Sequence, residues 1–189
     1  MTVRVLCVLH VAVLCLTVAA LPCCTAVAPE KGSDPQVVRP RPRIGIYDSR
    51  SVALAYGRSK AHDRLLASAV DESKAAKQGG DTARDARIGA RMRNLQHLRH
   101  LQVFGNAPIH DILREMGSAI EEEARKVGAD LVVRDVDVAF RGEGVEVVDI
   151  TSSLVERFEP TEKTRSMIAD LKTHPPIPLE EMPADLHEH

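Results

Sequence analysis

The stretch GADLVVRDVDVAFRGEGVEVVDITSSLV, Gly128 to Val155, decides how the chain is read. ADLVVRD with VDVAF, and then VEVVDIT, are strand-like runs, and the RGEG between them has the composition of a turn. The reading is two short strands around a glycine turn, followed by a helix capped by Thr151 or Ser152. One other strand pattern, RIGIYD at 43–48, lies far upstream, with Ile44 and Ile46 alternating with small or polar neighbours and Asp48 or Ser49 ready to cap a helix. A strand left alone has unpaired N–H and C=O groups, so these segments are expected in one small sheet.

Everything between them is helix-forming. From Ser51 to about residue 103, Ala, Arg, Lys, Leu, Gln and Met dominate. Val52, Ala55, Tyr56, Leu65, Leu66 and Ala69 make a thin apolar stripe, KQGGD at 77–81 turns the chain, and Asp81 caps a second run. That run carries Ile88, Met92, Leu95, Leu98 and Leu101 at helical spacing. An antiparallel helical hairpin over 51–103 follows, each arm roughly 35–40 Å long at 1.5 Å per residue. Its stripe suits one helix lying on another, not the core of a globule. FGNAPIHD breaks the pattern, and a helix over 108–127 follows, closed by Gly128. Asp135 and Asp137 fall on one face of the next strand, and a last helix, Thr161 to Leu171, follows Pro160. The fold class is α+β: a small β-sheet base from 43–48, 130–140 and 145–150, the protruding hairpin, and helices at 108–127 and 152–171.

The N-terminus has one early Arg4 and then an almost unbroken apolar run from Val5 to Leu21, followed by small residues. This is a signal peptide over 1–28, cut after Ala28 or, because Pro29 hinders that site, after Ala26. A lipoprotein processed at Cys23 or Cys24 and a retained membrane anchor stand as alternatives, since the run approaches the minimum span of a bilayer. All four cysteines (Cys7, Cys15, Cys23, Cys24) lie in or beside this segment, so an exported chain would have no disulfide and no cysteine nucleophile. Residues 29–42 are a proline-rich linker and 172–189 a flexible acidic tail. With three Phe, two Tyr and no Trp among 189 residues, the core must be aliphatic. The net charge of −2 hides an asymmetry: 58–103 holds ten Lys/Arg against five Asp/Glu, and 104–160 six against thirteen.

No phosphate-binding loop, dinucleotide fingerprint, zinc-protease motif or nucleophile elbow is present. The sequence therefore predicts neither an enzyme nor a cofactor. His97 and His100 have a metal-compatible spacing but no third ligand, and Asp135 and Asp137 could bind a cation but, with Arg134 and Arg141 nearby, read first as a solvated or ion-paired strand edge. Residues 84–100 carry five arginines and two histidines on one helix. Without an aromatic platform, and behind an export signal, that face predicts an anionic membrane surface or an acidic protein as partner, not nucleic acid.

IGIYDSRSV at 44–52, EEEARKVGADLVV at 121–133 and VEVVDITSSLVERF at 145–158 together resemble the OmpH/Skp family of periplasmic chaperones, over roughly residues 43–160. The resemblance implies a domain at 43–171 acting in the periplasm as a subunit of a homo-oligomer. Sheet elements of three subunits would form a barrel, and helical arms would hold unfolded outer-membrane or envelope proteins without catalysis. The arms here are shorter than the family's and are broken at KQGGD and VFGNAP. The client-binding residues on this reading are Leu65, Leu66, Ile88, Met92, Leu95 and Leu98, with Arg84, Arg87, Arg91 and Arg93 steering encounter. The alternative is a structural or adaptor protein of the cell envelope with the same fold.

Overall fold

A computed structural model describes residues 41–182, so the expected signal peptide, nearly all of the linker and the end of the tail lie outside the described residues. Strand β1 (Arg43–Tyr47) is the centre of a three-stranded sheet, flanked by β2 (Leu131–Arg134) and β3 (Glu146–Asp149). Both neighbours run parallel to it, with Ile44 opposite Leu131 on one side and Val147 on the other. The single sheet and the mixed helix-and-strand class agree with the sequence. The expected pairing of the two later strands around RGEG does not: β2 and β3 never meet, because β1 lies between them. Two parallel strands cannot be joined by a tight turn, since the chain must return along the sheet before starting again. Residues 135–145 make that return, beginning with a 3₁₀ turn at Asp135–Asp137 where a longer strand was expected.

Arg43 fixes this arrangement at the strand starts. Its backbone N–H donates to Asp130 Oδ2 (2.9 Å), and its guanidinium donates to the Val127 carbonyl (2.7 Å) and to Glu146 (2.8 Å). One face of the sheet lies under helices. A Cβ at Gly45 would stand 3.2 Å from Val132 and 3.5 Å from Ala129, so a larger residue there would push Val132 outward by a few tenths of an ångström. The opposite face holds Ile44, Ile46 and Val147, lined by Val138 and Phe140 of the returning segment.

The core gathers around α1 (Ser49–Gly57), whose small side chains let α3 (Thr82–Phe104), α6 (Thr151–Glu156) and α7 (Glu162–Leu171) all approach it. Val52, Ala53, Ile112 and Leu154 are completely covered there, beside Tyr47, Ile109 and Ile150. The first long helix was expected to run unbroken to the glycine turn, but it divides after Gly57. Arg58 and Ser59 donate back to the Ala55 and Tyr56 carbonyls, and Ser59 then caps α2 (Lys60–Gln78) by accepting from the His62 N–H (3.3 Å). Gly57 at the end of α1 and a capping serine two residues later end one helix and start another. Gly79 and Gly80 make the turn to α3 (Thr82–Phe104), capped by Asp81 as predicted.

Helices α2 and α3 meet along a seam of Ala69, Ala76 and Ile88 with Met92 beside it. Ser73 donates to Asp85 (2.6 Å), and Arg91 pairs with Glu72 (3.3 Å). The helix expected over 108–127 is two, α4 (His110–Met116) and α5 (Ala119–Val127), because Gly117 takes a φ of 57° that no helix continues through. Helix α6 (Thr151–Glu156) leaves the sheet edge, and α7 (Glu162–Leu171) is capped by Thr161. In the described part of the tail, Ile177 donates to the Phe104 carbonyl (2.8 Å). No helix among the described residues is long and apolar enough to cross a membrane.

Candidate functional site

The residues singled out for client binding lie on α2 and α3, and the structure distributes them unequally. Ile88 is covered at the seam, Leu98 is half-buried, and Leu65 stays 41% exposed. Leu66, Met92 and Leu95 come together on one cleft of about 420 Å³ at the foot of the pair, walled on the far side by Leu54 of α1 and Met167 of α7. Leu65, Met92 and Leu95 share a second, shallower groove with Ala69, Glu72 and Arg91. Arg84, Arg87, Arg91 and Arg93 all lie exposed on α3, Arg91 in its pair with Glu72 and Arg93 on the rim of the larger cleft.

Charge is distributed on that cleft in one sense. Arg58, His62, Arg93, Arg99 and His100 line it, and no carboxylate does. Arg99 is 9% exposed; its guanidinium stands 4.7 Å over the Tyr56 ring and pairs with Asp111 of α4, which also accepts from Gln102. Burial alone would raise the Asp111 carboxyl, but these hydrogen bonds and the Arg99 charge hold it below the ordinary carboxylate value. His62, also 9% exposed, packs on Tyr56 at 5.4 Å between centroids. Burial and the nearby Arg99 push its imidazole below the usual histidine value, so it is neutral at pH 7.

A different cluster sits where the strands end. In a parallel sheet all carboxyl ends share one edge, and ligands of such sheets bind outside it. Here each strand is followed by or ends in an aspartate: Asp48, Asp135 and Asp149 line one open cavity of about 390 Å³ with Asn106, Thr151 and Lys172. Asp48 caps α1 and its N–H donates to Thr151 Oγ1 (2.9 Å), while Asp149 accepts from the Thr151 N–H (2.8 Å). Arg50 reaches this edge but donates its hydrogen bonds to three carbonyls, of Val103, Leu171 and His174. Burial first, and then the charges of Asp48 and Asp149, raise the Asp135 carboxyl. Among the described residues no group of three or more His, Cys, Asp or Glu side chains is placed to hold a metal ion.

Sequence reasoning placed Asp135 and Asp137 together on one strand face, and the structure separates them. Asp137 turns back to a two-bond pair with Arg134 (2.8 Å), as the ion-paired reading required, while Asp135 faces the cavity. Asp149 was not singled out. The signal was present, since each strand pattern runs into an aspartate, but it converges only if the strands are parallel. The chain matches no protein-family model, no curated protein and no solved structure.

Proposed function

We propose that the chain is a non-enzymatic, holdase-type chaperone of the periplasm that binds apolar stretches of unfolded outer-membrane or envelope proteins on α2 and α3. The observation that carries this reading is an apolar stripe that the two helices do not close between themselves. Ala69, Ala76 and Ile88 fill the seam, but Leu65 and Val70 remain exposed, and Leu66, Met92 and Leu95 line clefts open to solvent. Four exposed arginines of α3 border it. Apolar burial supplies affinity for an extended chain, and the positive border speeds encounter with acidic segments or an anionic membrane surface.

On this reading α2 and α3 are the antiparallel arms of a hairpin standing on the sheet, and the chain works as one subunit of a trimer. Among the described residues both outer strands carry an unpaired edge, and Leu131, Val136, Val138 and Phe140 are exposed around the sheet face away from the helices, Phe140 at 86%. A soluble subunit rarely leaves such a patch bare, and unpaired edges favour pairing with another chain. The adaptor alternative draws on arm length. With 19 and 23 residues, α2 and α3 reach roughly 28–35 Å at 1.5 Å per residue, which encloses little.

Light scattering over a concentration series, followed by dilution of a urea-unfolded outer-membrane β-barrel protein with and without the chain, tests both parts. A stable trimer that suppresses client aggregation is expected. Replacing Arg84, Arg87, Arg91 and Arg93 together by Ala should slow suppression and flatten its salt dependence. A trimer without suppression leaves the adaptor reading, and a monomer removes the cage.

A further inference from the structure

From the charge and hydrogen-bonding of the cleft between α1, α3 and α7 we infer that it is a binding site for a long-chain monocarboxylate, with the acyl chain on the apolar wall and the carboxylate at the arginine rim. The inference stands whether or not α2 and α3 bind clients.

Three observations lead to it. First, the floor is aliphatic and adaptable, with Leu54, Leu66, Leu95 and the flexible Met92 and Met167. It also continues: Leu54, Val103, Phe104 and Met167 line both this cleft and a neighbouring one of about 440 Å³ that extends to Leu171 and Ile177. An elongated apolar path of this size is within the range of small-ligand sites and is longer than one side chain needs. Second, the polar groups on the first cleft are all cationic or neutral, Asp170 being the one carboxylate on the neighbouring cleft. Arg58 and Arg93 form no salt bridge among the described residues, so a carboxylate at the rim would meet two uncommitted guanidinium groups.

Third, the wall contains hydrogen-bonding capacity that the protein does not use. Arg99 Nε and His62 Nδ1 are buried with no partner, although both residues line the cleft. Buried polar atoms left without a partner are costly and uncommon; Arg99 Nε can only donate and neutral His62 donates from Nδ1 in one tautomer, so an acceptor group arriving with a ligand would satisfy both. A carboxylate fits both the net charge and the free donor; a neutral head group would fit only the apolar floor.

Calorimetric titration of the purified chain with dodecanoate below its micelle concentration tests this. Saturable binding of one molecule per chain is expected. Decanoate should bind about fifteenfold more weakly, because each buried methylene contributes roughly a factor of four. Dodecanol should bind at least tenfold more weakly than dodecanoate. The double variant Arg58→Ala/Arg93→Ala, whose side chains are outside the core, should lose that preference for acid over alcohol and keep the dependence on chain length. Leu95→Asp, with unchanged circular dichroism, should abolish binding. No binding of dodecanoate up to its solubility, or equal affinity for acid and alcohol in the unmodified chain, would overturn the proposal. The client assay is separate, so failure here leaves the chaperone reading where it stood, and the reverse is also true.

Discussion

The sheet-bearing base and the α2–α3 pair come from neighbouring stretches of one chain, yet they bury their side chains to different depths. In the base, α1 is surrounded by α3, α6 and α7, and Val52, Ala53, Ile112 and Leu154 lose all contact with solvent. Along the seam of the pair, two alanines and Ile88 are the covered apolar residues, with Met92 half-covered beside them. The difference is geometric. A helix touched on several sides can hide its whole circumference, whereas a pair can hide one seam each. The base is therefore expected to hold its own structure, and the pair to keep apolar surface for something else.

The largest effect that tests this contrast is a cavity on each side. Leu154→Ala should cost about 4 kcal/mol, as deletion of a fully packed side chain does. Ile88→Ala should cost about 2 kcal/mol, the low end of that range, because it packs in a small cluster with two alanines and a half-covered Met92. Hydrogen exchange separates the two further: Leu154→Ala should speed exchange throughout, Ile88→Ala mainly in α2 and α3. Equal loss of protection in β1 and α1 from both variants would show that base and pair unfold as one unit.

The joint between them comes next. Arg99 leaves the end of α3 to meet Asp111 of α4, with Gln102 donating to the same carboxylate. Removing the acid strands a buried guanidinium, so Asp111→Ala should destabilise by roughly 3 kcal/mol. Because the folded state holds the Asp111 carboxyl below its ordinary value, its contribution is complete above the unfolded value near pH 3.9 and is lost as pH falls through the folded one. Urea unfolding at pH 6 and pH 3 should therefore show a fall in stability that Asp111→Ala largely lacks. An unchanged fall in the variant would place the acid sensitivity elsewhere.

How much of this could be read in the sequence follows the range of each interaction. Asp48 and Asp81 cap their helices as expected because a cap is decided within four residues, whereas α6 starts at Thr151 with no capping side chain where Thr151 or Ser152 was expected to cap it. The Gly79–Gly80 turn and the apolar positions of α3 were legible for the same reason. The breaks at Ser59 and Gly117 were missed because helical composition continues across them, and only the local hydrogen bonds and the left-handed φ reveal the interruption. Strand existence was visible in the alternation of Ile44 with Ile46 and in the short apolar runs around Val132 and Val147. Strand partners were not, since pairing Ile44 with both Leu131 and Val147 is a long-range choice that alternation does not encode. The carboxylate edge shared that fate: Asp48, Asp135 and Asp149 meet only once the sheet is known to be parallel.

That edge supplies the smallest effect and the finest test of the contrast. The base is well packed, but it places three carboxylates around one cavity, and burial together with Asp48 and Asp149 raises the Asp135 carboxyl. A group whose folded value is raised favours the folded state only when protonated, so stability is lost as pH rises from the unfolded value near 3.9 through the folded one. Asp135→Asn keeps an oxygen to accept from the Val136 N–H and removes the charge. Since Asp135 is exposed and water screens its neighbours, the gain at pH 7 should be a few tenths of a kcal/mol. It should vanish near pH 3 and shrink in 0.5 M salt, both readable from paired thermal melts. A gain that persists at low pH would come from packing or backbone preference, and the three aspartates would then be neighbours without being electrostatically coupled. A gain confined to neutral pH and low salt would show that the base tolerates repulsion at its strand ends, whereas across the pair Glu72 and Arg91 match opposite charges.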